Sequence, residues 1–189
     1  MAEEQEGKAM TDFAELLGVN AEEAFKFFLQ HLNDTIVQMP EAKAGPNKLR
    51  VNLDELKHAA SVLAHYAITS TSDGDTPHIG TPRSFMDVFD NFVYRGPANY
   101  TDSELMELAG SQTLLWAGFF RDQVGARHNV EWYDRLGQDF YSCASRHAPS
   151  SNMKRKECLR RMSVNFSLWA KCFQKLSRFL RDKPYLLKP

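Results

Sequence analysis

Apolar residues recur along this chain at steps of three and four, the spacing of one helical face, while the period-two alternation of a half-buried strand is nearly absent. Asn20 with Glu23 has the form of a capping box, and behind it Ala21, Phe25, Phe28, Leu32, Ile36 and Met39 form a stripe that Pro40 stops. Asn52 with Glu55 repeats the pattern ahead of Leu53, Leu56, Ala60, Leu63 and Ala67, with turn residues from Thr69 to Asp75 closing that helix. Thr81-Pro82 opens a further segment carrying Phe85, Val88, Phe89 and Phe92, closed by Gly96-Pro97. Thr101 with Glu104 predicts a longer helix bearing Leu105, Leu108, Leu115, Phe119 and Phe120 and ending near Gly125. Asn129 caps the next, whose expected apolar side carries Trp132, Leu136, Phe140 and Cys143.

The strongest periodic signal comes last, in Leu159, Met162, Phe166, Trp169, Phe173, Leu176 and Leu180. It has the period of a coiled-coil seam, but Phe166, Trp169 and Phe173 are bulky for a two-stranded seam, which favours Leu and β-branched residues. A buried core helix is the expected reading. These signals predict an all-α fold, a single-domain multi-helix bundle of six or seven helices spanning 1–189, with 1–10 and 184–189 as flexible tails. A length of 189 residues with 43% hydrophobic and 25% charged content is consistent with one folded domain.

Charge sharpens the picture, because a net −1 conceals a gradient. Nine acids face three bases in residues 1–45, thirteen face eight in 46–145, and two face twelve in 146–189. The basic end either packs beside the acidic elements of its own chain or offers a surface to an anionic partner. Lys154, Arg155, Lys156, Arg160 and Arg161 concentrate that charge and are its candidate partner-binding residues. Internal neutralisation is the expected reading, with nucleic acid disfavoured because no recognition motif accompanies the basic run. The acidic, polar amino terminus is unlike a secretory signal, no apolar run reaches the length of a membrane span, and three cysteines form no CxxC pair. A cytoplasmic location with reduced thiols is the expectation.

Candidate chemistry is sparse. Glu55 and His58 have the Glu-x-x-His spacing of carboxylate-bridged di-iron bundles, but only one such motif is present, and the Leu53–Ala67 stripe places His58 on the outer face. His65 falls on that same face, about 10 Å further along the axis, too far to share an ion. No metal site and no cofactor are expected. Phosphate loops, zinc-protease motifs and nucleophile elbows are absent from the sequence. The polar loop from Ser72 to Arg83 gathers Asp73, Asp75, His78 and Arg83 before a helix amino terminus, where free N–H groups and a guanidinium suit an anion.

The stretches Glu107-Leu-Ala-Gly-Ser-Gln-Thr-Leu-Leu-Trp-Ala-Gly-Phe-Phe120 and Trp132-Tyr-Asp-Arg-Leu-Gly-Gln-Asp-Phe-Tyr141 are similar to a group of uncharacterised helical bacterial proteins of comparable length. The resemblance covers about 35 residues, and Trp132 stands where the group has Tyr. It implies a bacterial origin and a packed helix pair, and it carries no activity. The residues themselves add that Gly110, Gly118 and Gly137 remove Cβ atoms where a helix or ring can approach. Tyr133, Gly137 and Tyr141 then form either a helix crossing or, with Trp116, an aromatic notch for a small molecule. The leading functional expectation is a non-enzymatic protein acting through a protein partner or self-association. Its alternatives are a small-molecule-binding or metal-dependent helical enzyme using the 73–83 loop or the Tyr133/Tyr141 notch, and nucleic-acid binding through the basic end.

Overall fold

The computed structural model describes residues 21–40, 51–69, 101–124 and 129–181. Segments 1–10, 81–97 and 184–189, and the loop with Asp73, Asp75, His78 and Arg83, lie outside them. Within the described residues the chain is an all-α multi-helix bundle with no strand. Its long helices are α1 (Ala21–Gln38), α2 (Leu53–Thr69) and α3 (Ser103–Leu114). A π-helical turn (Leu115–Phe119) and the one-turn α4 (Arg121–Val124) continue α3. Then come α5 (Val130–His147), α6 (Met153–Val164) and α7 (Phe166–Arg181). No described helix is long and apolar enough to cross a membrane.

Caps set where the helices start. At α2 the Asn52 N–H donates to Glu55 Oε1 (3.1 Å) and the Glu55 N–H donates back to Asn52 Oδ1 (2.9 Å), a complete capping box. At α3 the cap is Asp102 instead of Thr101: its Oδ1 accepts from the N–H groups of Glu104 and Leu105, which leaves the Glu104 carboxylate free to point elsewhere. Asn129 caps α5 through the N–H of Glu131.

The final stripe is buried from Leu159 to Leu180, but it runs through two helices. Asn165 interrupts them as a single turn residue (φ −95°, ψ 11°), and its N–H still bonds back to Arg161 O, so the apolar face keeps its register across the break. α7 is the hub of one core, meeting α1, the π turn, α5 and α6. α1 pairs with α2, α3 with α5, and α5 with α6. Glycines permit the closest of these approaches. A Cβ on Gly137 would overlap the Phe166 ring, and one on Gly118 would lie 2.9 Å from the Ala170 carbonyl oxygen. Gly110 lies against the Tyr141 ring, where a Cβ would press on the ring atoms at 3.0 Å.

Several faces differ from the expected ones. On α2, Leu53 is 58% exposed at the helix start, while Glu55 and Ala59 join the buried residues. α5 is rotated: Trp132 is 42% exposed, and Tyr133, Gly137, Phe140, Tyr141 and Ala144 face inward. On α3 the inner line is Met106, Ala109, Gly110 and Thr113, with Leu108 outside, and the π turn then swings Leu115, Trp116 and Ala117 all into the core.

Candidate functional site

Two rows of side chains face one another between α2 and α3. α2 contributes His58, Ser61, Val62 and His65; α3 contributes Glu104, Glu107, Leu108, Ser111 and Gln112, with Leu115 from the π turn. Both rows advance by three and four residues, so each is one helical face. Between them lies a cavity of about 260 Å³. Val62, Leu108 and Leu115 give it apolar walls, and the rest of its lining is polar.

His58 anchors the polar side and corrects its expected outward placement. α2 is enclosed on several sides, packing on α1 and on α6 and reaching α5 through this ring. Its Nε2 lies 3.0 Å from the Tyr141 hydroxyl of α5, the rings meeting edge to face at 5.5 Å. Its Nδ1 lies 3.6 Å from Glu107 Oε1. Burial pushes the His58 pKa below its ordinary value; the Glu107 carboxylate opposes that shift, and the Arg155 guanidinium adds to it. Burial also raises Tyr141 far above the usual phenol range, keeping a hydrogen on its oxygen. A neutral His58 with its proton on Nδ1, facing the carboxylate, accepts that hydrogen at Nε2.

Glu107 is held from the other side by Arg155 of α6, whose Nε (2.9 Å) and Nη2 (2.5 Å) both donate to Oε2. The same guanidinium reaches to 3.6 Å from Glu104 Oε1. The Ser111 hydroxyl donates to the Glu107 carbonyl (2.9 Å) and lies 3.0 Å from the Tyr141 oxygen. The Ser61 hydroxyl donates to the His58 carbonyl (2.7 Å). Gln112 is 8% exposed, and its buried side-chain oxygen has no hydrogen-bond partner among the described residues.

A second polar cluster lies deeper. The Glu55 carboxylate is wholly buried and accepts from Arg161 Nε (2.7 Å), Asn165 Nδ2 (2.7 Å) and Trp169 Nε1 (3.2 Å), besides its cap bond to Asn52. Every donor comes from the fold itself, and the cluster ties α2 to α6 and α7.

The cavity is lined by none of the three aromatic residues that the sequence singled out. Tyr141 stands behind the lining and meets His58 and Ser111 through its hydroxyl. Tyr133 is buried beside Trp132, Trp116 packs on Phe120, and Phe166 fills the space over Gly137. Of the basic group, Lys154 pairs with Asp54 (3.2 Å), Arg155 with Glu107, Arg160 with Glu157 (2.7 Å) and Arg161 with Glu55. Lys156 makes no ion pair among the described residues. All three cysteines are free thiols, and burial pushes Cys158 up to about 12. No group of three or more His, Cys, Asp or Glu is placed to hold a metal ion among the described residues.

Sequence reasoning missed Glu107, Ser111, Gln112 and Arg155 as a cluster with His58. The signal for half of it was the polar row Glu104, Glu107/Leu108, Ser111/Gln112, a stripe that reads as a solvent face until a partner helix is known. No protein-family model, curated protein or solved structure matches the chain. The all-helical bundle is therefore the class of protein that its own residues define.

Proposed function

We propose that this protein binds a small organic molecule in the α2–α3 cavity. The observation that carries this reading is the cavity itself: about 260 Å³, with apolar walls from Val62, Leu108 and Leu115 and a polar side that holds a histidine and a carboxylate. Apolar walls with a few placed polar groups are the usual make-up of a small-molecule site. The neighbouring His58, Tyr141, Ser111 and Glu107 are fixed by one another and by Arg155, so the polar wall is organised before any ligand arrives.

Action through a protein partner or self-association has less support. Among the described residues the exposed large apolar side chains, Val37, Leu53, Leu108, Trp132, Met153, Val164 and Phe179, are spread over six helices, and scattered exposed residues of this kind are ordinary. Nucleic-acid binding is disfavoured because four of the five basic residues face acids of the same chain.

The test is a fragment screen read by ¹H–¹⁵N chemical shifts on the full chain, beside Ser61→Trp, which fills the cavity from an exposed position. Binders are expected to shift amides of residues 58–65 and 104–115 together and to lose at least tenfold in affinity to the variant. Fragments that bind only elsewhere, or equally well to Ser61→Trp, would overturn the reading.

A further inference from the structure

We infer that the ligand class of this cavity is a small organic ammonium ion, an inference that rests on the cavity being the binding site. The hydrogen-bond directions of the lining carry it. Ser61 donates its single hydrogen to the His58 carbonyl of its own helix and so turns only lone pairs outward, whereas the Ser111 hydroxyl is shared between the Glu107 carbonyl and the Tyr141 hydroxyl. Glu107 receives both Arg155 donors on Oε2, which leaves Oε1 with only the His58 edge at 3.6 Å. Glu104 adds a second carboxylate, its side chain 83% exposed. The wall therefore presents acceptors, with the His58 and His65 imidazoles beside them.

The charge has the same sense. Among the described residues the one guanidinium at the cluster, Arg155, is committed to Glu107 and Glu104 and is not among the lining residues, so two carboxylates there are met by one cation. His58 sits in a setting that disfavours its charged form, and Lys154 is engaged by Asp54. An anion entering this cavity would meet acceptors and negative charge; an ammonium would give N–H donors to Glu107 Oε1, the Glu104 carboxylate and the Ser61 lone pairs. The hydrocarbon part of such a ligand has Val62, Leu108 and Leu115 to lie against.

The experiment titrates the full-length protein at neutral pH with butylamine, putrescine and benzylamine, each beside its neutral alcohol and its carboxylate counterpart. Shifts of the 58–65 and 104–115 amides provide the readout. At least one amine is expected to bind at least tenfold more tightly than its alcohol, with no saturable binding of the carboxylates. Glu107→Gln is expected to weaken that amine about tenfold and its alcohol less than twofold. Glu104→Gln, an exposed change that the fold tolerates, is expected to weaken the amine two- to threefold. Alcohols or carboxylates binding as tightly as amines at those amides would overturn the cation assignment and leave the cavity reading standing. No saturable shift from any probe would overturn both.

Discussion

Two glutamates on neighbouring helices, each gripped by an arginine of α6, do opposite things in this molecule. Glu55 is wholly buried, and both of its oxygens are occupied by donors from α6, α7 and the start of α2. Glu107 is 22% exposed, with both arginine donors crowded onto one oxygen and the other turned toward His58 and the cavity. A buried carboxylate is tolerated only when its lone pairs are answered, so the complete set at Glu55 marks a structural tie. The incomplete set at Glu107, with one oxygen turned to the cavity, is the feature on which the proposed binding site rests.

The largest expected effect is at the complete cluster. Removing one partner strands the others in the core, so Glu55→Ala and Arg161→Gln should each destabilise by about 3–5 kcal/mol. Glu107→Ala should cost only about 1–2 kcal/mol, since water reaches its pair with Arg155. Urea unfolding of the three variants compares them directly. Equal losses at Glu55 and Glu107 would erase the distinction between a closed and an open cluster.

The two clusters were unequally legible in the sequence. The Asn52–Glu55 capping box is a local pattern, so the start of α2 and half of the Glu55 shell could be read directly. Arg161, Asn165 and Trp169 are more than 100 residues further on, and nothing local announces that they converge on the same carboxylate. The burial of Leu159 through Leu180 was legible because the apolar period continues across the Asn165 break. The inward placement of His58 is not legible from the Leu53–Ala67 stripe, because a helix with neighbours on several sides buries more than one stripe. The rotation of α5 followed from its glycine: Gly137 marks the face that admits the Phe166 ring, and Trp132 and Leu136 flank that face. The π turn leaves no composition signal of its own, yet it alone puts Leu115, Trp116 and Ala117 inside together.

A smaller effect sharpens the open side. His58 is faced by Glu107 from α3, Tyr141 from α5 and Arg155 from α6, and burial lowers its pKa in the folded protein. The unfolded chain then holds more protons just below the ordinary histidine value of 6.5, so stability is fully present above that pH and falls as the solution is acidified toward the folded value. Denaturant melts at pH 7 and pH 5 should show this loss, and His58→Gln should reduce it. A wild-type protein equally stable at both values, or a variant with the same acid loss, would show that the ring is not held neutral by the cluster.

The smallest effect belongs to basic residues that neither cluster uses. Lys154 pairs with Asp54 with its side chain 76% exposed, Arg160 pairs with Glu157 at 49% on each side, and Lys156 has no ion pair among the described residues. Exposed pairs of this kind gain little Coulomb energy in water and lose side-chain freedom in forming. Changing all three to Gln should therefore lower stability by no more than about 1 kcal/mol, with the difference shrinking in high salt as the remaining attraction is screened. Arg161→Gln alone should cost more than the three changes together, although it removes one positive charge instead of three. That ordering separates the two explanations of why the basic end is compatible with an acidic body. If bulk charge balance holds it there, loss scales with the number of charges removed, and the triple variant is the weaker protein. If one buried tie at Glu55 holds it, loss follows burial, and the triple variant melts close to the wild type.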